Sequence, residues 1–228
     1  MPFYEYNSLK IFENFYGSII DYHTFALLPN YLEREDSSLV YMIKSFILKS
    51  FSDKSGFYLN QTDRMLKDIE YVLENDPKRK VLLIGVTFAL LELADDKEKL
   101  NFFKKYKNRV VVMETGGMKG RRKEMLREDV HTILKDAFSQ ENIHSEYGMT
   151  ELLSQAYAMA DGKFKTPTTM KVLLREVNDP FSYLPSFKVG KGEVKIRDRG
   201  KTGGINVIDL ANLDSCCFIE TQDLGSFS

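Results

Sequence analysis

The chain has 228 residues, of which 43% are hydrophobic and 29% are charged, and its formal net charge is −1. This composition is typical of a folded protein rather than a disordered one, and the small net charge disfavours nucleic acid as the main partner. No membrane span is expected, because the longest apolar run, Val81 to Leu91, is too short. The start of the chain lacks a secretory leader and the two cysteines are adjacent, which predicts a cytoplasmic protein without disulfides.

The first two-thirds of the chain alternates strand-like apolar runs with segments of helical periodicity. Runs such as Val81 to Ile84 have no polar face, which predicts strands covered on both sides, as in a parallel sheet. Residues 1–165 are therefore predicted to form an α/β subdomain, a largely parallel sheet with helices on both faces. The predicted strands are Phe25–Leu28, Lys80–Gly85, Arg109–Glu114 and Asn142–Glu146, and the predicted helices are Ser37–Lys49, Thr62–Glu74, Asp95–Tyr106 and Arg121–Ser139.

Beyond about Lys163 the pattern changes to short alternating segments that are broken by Gly and Pro. Such segments are typical of hairpins or of a small barrel. We place the boundary within residues 163–169 and predict a smaller antiparallel or barrel-like β portion at residues 166–228. Its predicted strands are Met170–Val177, Glu193–Arg197, Asn206–Leu210 and Cys216–Glu220.

A glycine pair, Gly116-Gly117, follows the predicted strand that ends at Glu114 and precedes the helix predicted from Arg121. Glycines let the backbone turn sharply and approach a flat ligand, and ligands of open α/β sheets bind at the carboxyl ends of the strands. On spacing alone, a tight turn without a ligand is the favoured interpretation.

A second chemical segment, Tyr147-Gly148-Met149-Thr150-Glu151, follows the next predicted strand and precedes a segment predicted as a short helix. An aromatic ring can stack on a base, a glycine can admit it, a hydroxyl can bond a phosphate oxygen and a carboxylate can hold Mg²⁺. The plain alternative is a surface turn in which Glu151 is solvated at a helix start, where the helix dipole favours a carboxylate.

The segment Tyr147 to Glu151 matches the Tyr-Gly-x-Thr-Glu motif of adenylate-forming enzymes. Together with residues 21–42, 114–120, 144–155 and 205–225, in that order, the chain resembles the acyl-protein synthetase (LuxE-like) family of that superfamily. The resemblance implies ATP-dependent activation of a carboxylic acid, in particular a fatty acid, to an acyl-adenylate and later transfer to a protein thiol.

The resemblance also implies roles for individual residues. Gly116 and Gly117 would form the wall beside adenine, and Tyr147 would pack against the base with Gly148 and Met149 beside it. Thr150 would contact phosphate as a catalytic residue, while Glu151 would be catalytic through coordination of Mg²⁺. Asp223 would accept hydrogen bonds from the ribose hydroxyls. The implied ligands are thus ATP or AMP and Mg²⁺, and the implied partners are the acid substrate and an acyl-acceptor protein or reductase subunit.

The family's phosphate loop, of the Ser-Gly-Thr-Thr-Gly type, does not occur in these residues, and its carboxy-terminal domain with the catalytic lysine is expected to lie outside this chain. An alternative is therefore a non-catalytic module of the same fold that acts as a partner or scaffold of an acyl-transfer or fatty-acid reductase system. Whether the chain alone is an enzyme stays open at this stage, and a homodimer is compatible with either function.

Two further signals, the cysteines and His144, allow a chemical and a plain interpretation. Cys216 and Cys217 include a possible acyl-accepting thiol, although thiols within a strand are favoured. His144 beside a strand end more often has a packing role than a catalytic one. A serine hydrolase of the α/β type is disfavoured because the chain has no Gly-x-Ser-x-Gly segment.

Overall fold

The computed structural model describes residues 2–28, 37–116, 125–184, 188–190, 193–195 and 200–227. The chain divides into two compact units, of which the first comprises Met1–Thr150 with Gln155–Lys165 and the second comprises Glu151–Ser154 with Thr166–Ser228. In these described ranges no helix combines the length and the apolar character that crossing a membrane requires.

The first unit is built on a seven-stranded sheet with the order β2-β1-β3-β4-β5-β6-β7. The pairs from β2 to β5 are parallel, whereas β6 and β7 are added antiparallel. The predicted fold class, a largely parallel α/β sheet followed by a smaller antiparallel portion, is confirmed. The strands are β1 (Tyr22–Leu27), β2 (Gly56–Phe57), β3 (Lys80–Gly85), β4 (Val110–Glu114), β5 (His144–Tyr147), β6 (Ala156–Ala158) and β7 (Phe164–Lys165).

Five α-helices accompany the described part of this sheet: α1 (Pro2–Tyr16), α2 (Ser38–Lys49), α3 (Thr62–Asn75), α4 (Thr87–Ala94) and α5 (Arg127–Phe138). In α3 the buried residues repeat with helical spacing at Met65, Leu66, Ile69, Val72 and Leu73, so one stripe packs on the sheet. Short 3-10 helices span Ile19–Asp21 and, with a kink at Tyr106, Lys97–Arg109.

The structure differs from the sequence prediction in several elements. Helices α1 and α4 were not predicted, and the segment predicted as the helix Asp95–Tyr106 forms 3-10 turns instead. Seven of the eight residues of α4 are buried, so no polar stripe marks its period and its apolar run does not distinguish a helix from a strand. The helix predicted from Arg121 begins at Arg127, while residues 121–124 lie outside the described ranges.

The contacts of successive side chains in β5 show that the sheet has helices on both faces. Successive strand residues point to opposite sides. His144 Nδ1 contacts the Tyr16 hydroxyl of α1 at 3.2 Å, and Ser145 Oγ contacts His131 Nε2 of α5 at 3.2 Å. Helix α1 therefore covers one face of β5 and α5 covers the other.

The second unit contains a four-stranded antiparallel sheet with the order β13-β12-β8-β9 and a separate hairpin of β10 and β11. Residues Met170, Leu174 and Val207 are buried on one side of the four-stranded sheet. The strands are β8 (Met170–Glu176), β9 (Asp179–Tyr183), β10 (Lys188–Gly190), β11 (Glu193–Lys195), β12 (Gly203–Asp209) and β13 (Phe218–Gly225), and a 3-10 helix spans Leu210–Asn212.

Asp209, at the end of β12, fixes residues 151–154 within the second unit. Its buried carboxylate accepts hydrogen bonds from the Leu153 amide (2.8 Å), the Ser154 amide (3.0 Å) and the Ser154 hydroxyl (2.7 Å). Asn212 adds a hydrogen bond from its side-chain amide to the Glu151 carbonyl at 2.7 Å. Because Leu153 and Ser154 donate to a buried carboxylate and Glu151 accepts from Asn212, this short segment has a defined position on the unit.

We predict that Asp209→Ala destabilises the protein by about 3 kcal/mol or more, because several donors would lose a charged acceptor. Chemical denaturation followed by circular dichroism measures the change in the free energy of unfolding. The matched control is Asp214→Ala, which removes an exposed carboxylate from the same unit. Equal stability of the two variants would contradict the role of Asp209.

Candidate functional site

The ends of β4 and β5 form one edge of the parallel sheet. In the register of these strands, Glu114 of β4 pairs with Ser145 of β5, so Gly116 and Tyr147, which lie just beyond them, reach the same carboxyl edge. This is the edge where open α/β sheets bind ligands. Gly117 lies outside the described residues.

Gly116 needs the conformational freedom of glycine. Its φ is +75°, a left-handed value that other residues rarely adopt, and a Cβ built on it would have no heavy atom of the described residues within 4 Å. The Gly116 amide donates a 2.7 Å hydrogen bond to Glu114 Oε2. The turn after β4 therefore needs a glycine at this position, and the buried carboxylate of Glu114 holds the conformation of the turn.

Glu114 is the centre of a hydrogen-bonded group that we call the carboxyl-edge cluster, with members Thr87, Glu114, Gly116, Arg127, His131 and Ser145. Glu114 is only 2% exposed. Thr87 donates to its Oε2 (3.1 Å), Arg127 Nε donates to its Oε1 (3.0 Å), and His131 Nε2 lies 3.5 Å from Oε1. One buried carboxylate thus joins α4, β4 and α5.

The surroundings of Glu114 keep it ionised. Burial alone would raise its pKa, but the hydrogen bond from His131, the positive charge of Arg127 and the hydrogen bonds from Ser145 and the Gly116 amide lower the pKa of Glu114 to about 2. The carboxylate is therefore charged throughout the neutral range.

An aromatic pair lies beside this cluster. Tyr147 meets Phe164 of β7 edge to face at a centroid distance of 6.0 Å, and the Arg127 guanidinium lies 5.1 Å from the Phe164 ring centroid. The side chain of Arg127 is 45% exposed. A guanidinium group commonly contacts the phosphates of a nucleotide, and an aromatic ring or a glycine backbone commonly contacts its base.

A side chain at Gly148 would require the Glu146 carboxyl to move. A Cβ at this position would lie 2.5 Å from Glu146 Oε1. Glu146 itself is buried, and burial together with the negative charge of Glu114 raises the pKa of Glu146 to about 8. The turn after β5 therefore rests on a carboxyl group that is mostly protonated at pH 7.

A second set of polar side chains, those of Tyr4, Gln155 and Tyr157, lies under α1. It is on the same face of β5 as Glu146 and His144. The Gln155 side-chain amide donates to the Tyr4 hydroxyl at 3.4 Å, while Gln155 Oε1 and the buried Tyr157 hydroxyl have no hydrogen-bond partner among the described residues. Burial, with a smaller effect of His131, lowers the pKa of His144 to about 4. His144 is thus a neutral residue bonded to Tyr16, as the plain interpretation of the sequence expected.

The remaining candidate residues are distributed over both units. Met149 and Thr150 follow Tyr147 in the first unit, and Thr150 is exposed. Glu151 and Asp223 belong to the second unit and are exposed, Glu151 after a turn and Asp223 in β13. The short helix predicted after Glu151 is wrong, because the chain turns there and enters β6 instead.

The cysteine interpretation also needs correction. Both thiols are free and precede β13, with Cys216 exposed and Cys217 partly exposed, so they do not lie within a strand as was favoured. Cys216 Sγ contacts the Phe218 carbonyl at 3.3 Å.

No group of three or more His, Cys, Asp or Glu side chains that could hold a metal ion occurs among the residues with a described position. A protein cage of several ligands is therefore not available there. Mg²⁺ differs from other metal ions in that one or two carboxylates together with substrate phosphates suffice to bind it. Glu151 is exposed, and its backbone carbonyl accepts a hydrogen bond from the Asn212 side-chain amide at 2.7 Å.

Sequence reasoning missed Arg127, Glu146, Asp209 and Phe164. The partners of Arg127 and Phe164 lie in other strands and helices, so no local spacing pointed to them. For Asp209 the only local signal was a carboxylate at the end of a predicted apolar strand, where an unpaired charge would be costly.

Comparison with models of protein families and with curated proteins found no match for this chain in either case.

We predict that Glu146 makes the protein less stable as the pH rises. Its pKa is 4.5 in the unfolded chain and about 8 in the folded one, so the folded state holds the extra proton between these values and loses stability as pH approaches 8. The buried His144 adds an opposing slope only at the low end of this range, where the unfolded histidine (pKa 6.5) is still partly protonated while the folded one (pKa about 4) is neutral.

The measurement is the free energy of unfolding at several pH values from 6.5 to 8. Wild type should become less stable across the upper part of this range, whereas Glu146→Gln, which keeps a neutral side chain of similar size, should not show this decline. Glu141→Gln, at an exposed position near the start of β5, should keep the wild-type slope. Parallel slopes for wild type and Glu146→Gln would show that Glu146 does not titrate in this range.

Proposed function

We propose that this chain provides the adenylate-binding part of an acyl-activating enzyme of the acyl-protein synthetase type. The substrates would be ATP and a carboxylic acid, in particular a fatty acid, and the product would be an acyl-adenylate for transfer to a protein thiol. The observation that supports this most strongly is the position of the Tyr-Gly-x-Thr-Glu motif, Tyr147 to Glu151, which begins at the last residue of β5, beside the strand that leads into the glycine turn at Gly116.

The local geometry at the carboxyl edge supports a flat ligand. Among the described residues no atom lies within 4 Å of a Cβ built on Gly116, and the partly exposed Tyr147 ring packs edge to face on Phe164. Gly148 accommodates the Glu146 carboxyl, which accounts for a glycine at this place in the motif. An adenine ring between a glycine backbone and an aromatic side chain would meet little steric resistance.

Formation of an acyl-adenylate brings two anions together, since an acid carboxylate attacks the α-phosphate and pyrophosphate leaves. Catalysis then depends on placement and on neutralisation of charge more than on a strong base. In this proposal Glu151 would hold Mg²⁺ with the phosphates, and the ion would supply the neutralising charge. Thr150 would donate its hydroxyl to a phosphate oxygen, and Asp223 would accept from the ribose hydroxyls.

Binding of ligands tests the proposal without requiring turnover. Calorimetric titration of the purified chain with a non-hydrolysable acyl-adenylate analogue and with ATP, with and without Mg²⁺, should show binding of both. Asp223→Asn should weaken binding of the analogue by roughly tenfold, because about one hydrogen bond to a charged acceptor is lost. Glu151→Gln should abolish the Mg²⁺ dependence of ATP binding while it leaves the binding of AMP unchanged.

Glu141→Gln, which removes an exposed carboxylate outside the motif, should bind every ligand as wild type does. Failure of a folded wild-type chain to bind any adenylate would rule out the proposal. Binding without pyrophosphate release on addition of a fatty acid would favour the second candidate, a non-catalytic module of the same fold that serves an acyl-transfer or reductase partner.

A further inference from the structure

Three polar side chains from distant parts of the chain meet at the opposite, amino-terminal side of the parallel sheet. His23 is the second residue of β1, Ser52 follows α2, and Asp76 follows α3. His23 Nδ1 lies 2.7 Å from Ser52 Oγ, and His23 Nε2 lies 3.2 Å from Asp76 Oδ2. None of these residues belongs to the carboxyl-edge cluster or to the adenylate motif.

The roles of the two ring nitrogens follow from their partners. An ionised carboxylate can only accept, so the nitrogen that faces Asp76 carries the hydrogen and donates it. The other nitrogen, Nδ1, then has a lone pair and accepts the hydrogen bond of the Ser52 hydroxyl. Hydroxyl, neutral imidazole and carboxylate are thus connected in series, which is the arrangement that activates a serine nucleophile.

The charges around His23 favour its neutral, basic form. Burial is the largest effect and Arg79 adds to it, so that the pKa of His23 is lowered despite the opposing charges of Asp76 and Asp53. Partial burial acts to raise the pKa of Asp76, but hydrogen bonds from the Lys78 amide and from His23 lower it, which keeps the carboxylate charged. At pH 7 the imidazole can therefore take a proton.

The backbone before Ser52 is strained. Phe51 has a φ of 49°, a left-handed value at the end of α2 where glycine is the usual residue. Its ring gains nothing from burial, because Phe51 is 85% exposed. This turn brings Ser52, which is partly exposed, against the imidazole. Strain of this kind is common at functional sites.

We propose that Ser52, His23 and Asp76 form a serine-nucleophile site that hydrolyses uncharged carboxylic esters with an apolar acyl group. Ser52 is the nucleophile, His23 the general base and Asp76 a positioning residue. The apolar preference follows from Phe51, the residue before Ser52, whose side chain is 85% exposed. The Lys54 amide, 3.3 Å from Ser52 Oγ, is a backbone donor at the reacting oxygen.

In the reaction, Ser52 Oγ attacks the ester carbonyl while its proton passes to His23 Nδ1. The tetrahedral intermediate expels the alcohol, which takes that proton, and an acyl-serine remains. A water molecule then attacks the acyl group, gives one proton to His23, and releases the carboxylic acid as the proton returns to Ser52 Oγ. The net reaction is ester plus water to acid plus alcohol.

The test uses a fluorophosphonate, which phosphonylates activated serines, together with p-nitrophenyl butyrate as the ester. Wild type should be labelled at Ser52, as located by peptide mapping, and should hydrolyse the ester. Ser52→Ala should lose the label and the hydrolysis. His23→Gln should slow both by about 100-fold or more, which is the usual effect of losing a general base.

Asp76→Asn tests whether Asp76 positions the His23 imidazole for proton transfer or only contributes to local packing. It should slow labelling by at least about tenfold, and it should move the pH midpoint of the labelling rate further below the ordinary histidine value of 6.5, because the Asp76 charge raises the pKa of His23. Asp53→Asn is the matched control, since it removes another carboxylate that acts on His23 but does not bond to the ring. It should shift the midpoint with little loss of the maximal rate.

Ser215→Ala, at an exposed serine of the second unit, should behave as wild type. Peptide mapping of wild type needs no variant, so the proposal stays testable even if a substitution prevents folding. Absence of label at Ser52 in folded wild type would overturn it, as would labelling that is equally fast in His23→Gln.

Discussion

A single buried carboxylate determines the geometry of the carboxyl edge. Glu114 receives hydrogen bonds from α4, from the turn after β4 and from α5, and it remains ionised although only 2% of it is exposed. Removal of one partner would leave a buried charge unsatisfied, which is costly. The turn at Gly116 and the position of Arg127 therefore depend on the same carboxylate.

The charge of Glu114 also affects the neighbouring strand. Glu146 of β5 is buried on the opposite face, where burial and the charge of Glu114 keep it protonated at neutral pH. Two carboxyl groups close together thus adopt different protonation states, because one is surrounded by cationic and amide donors and the other by hydroxyl groups and aromatic rings. Gly148 packs on the neutral carboxyl, so the backbone at the adenylate motif rests on a group that has no charge to solvate.

Elements with a clear local pattern were predictable from the sequence, and contacts between distant segments were not. The apolar run Lys80–Gly85 identified β3, and the spacing of apolar residues identified α3. Helix α4 lacks a polar face, so its sequence shows no helical repeat of polar and apolar residues. Ser52 and Asp76 lie 29 and 53 positions from His23 and follow different helices. Only the register of β1 and the ends of α2 and α3 bring them together, and no sequence spacing encodes that arrangement.

The route of the chain has a consequence for protein engineering. The backbone leaves the first unit after Thr150, contributes residues 151–154 to the second, returns at Gln155 and leaves again after Lys165. Neither unit is thus a continuous stretch of sequence. A fragment that stops at Lys165 would separate Leu153 and Ser154 from the Asp209 carboxylate. Truncation at the end of the first unit would therefore remove the acceptor that holds residues 153 and 154 in place.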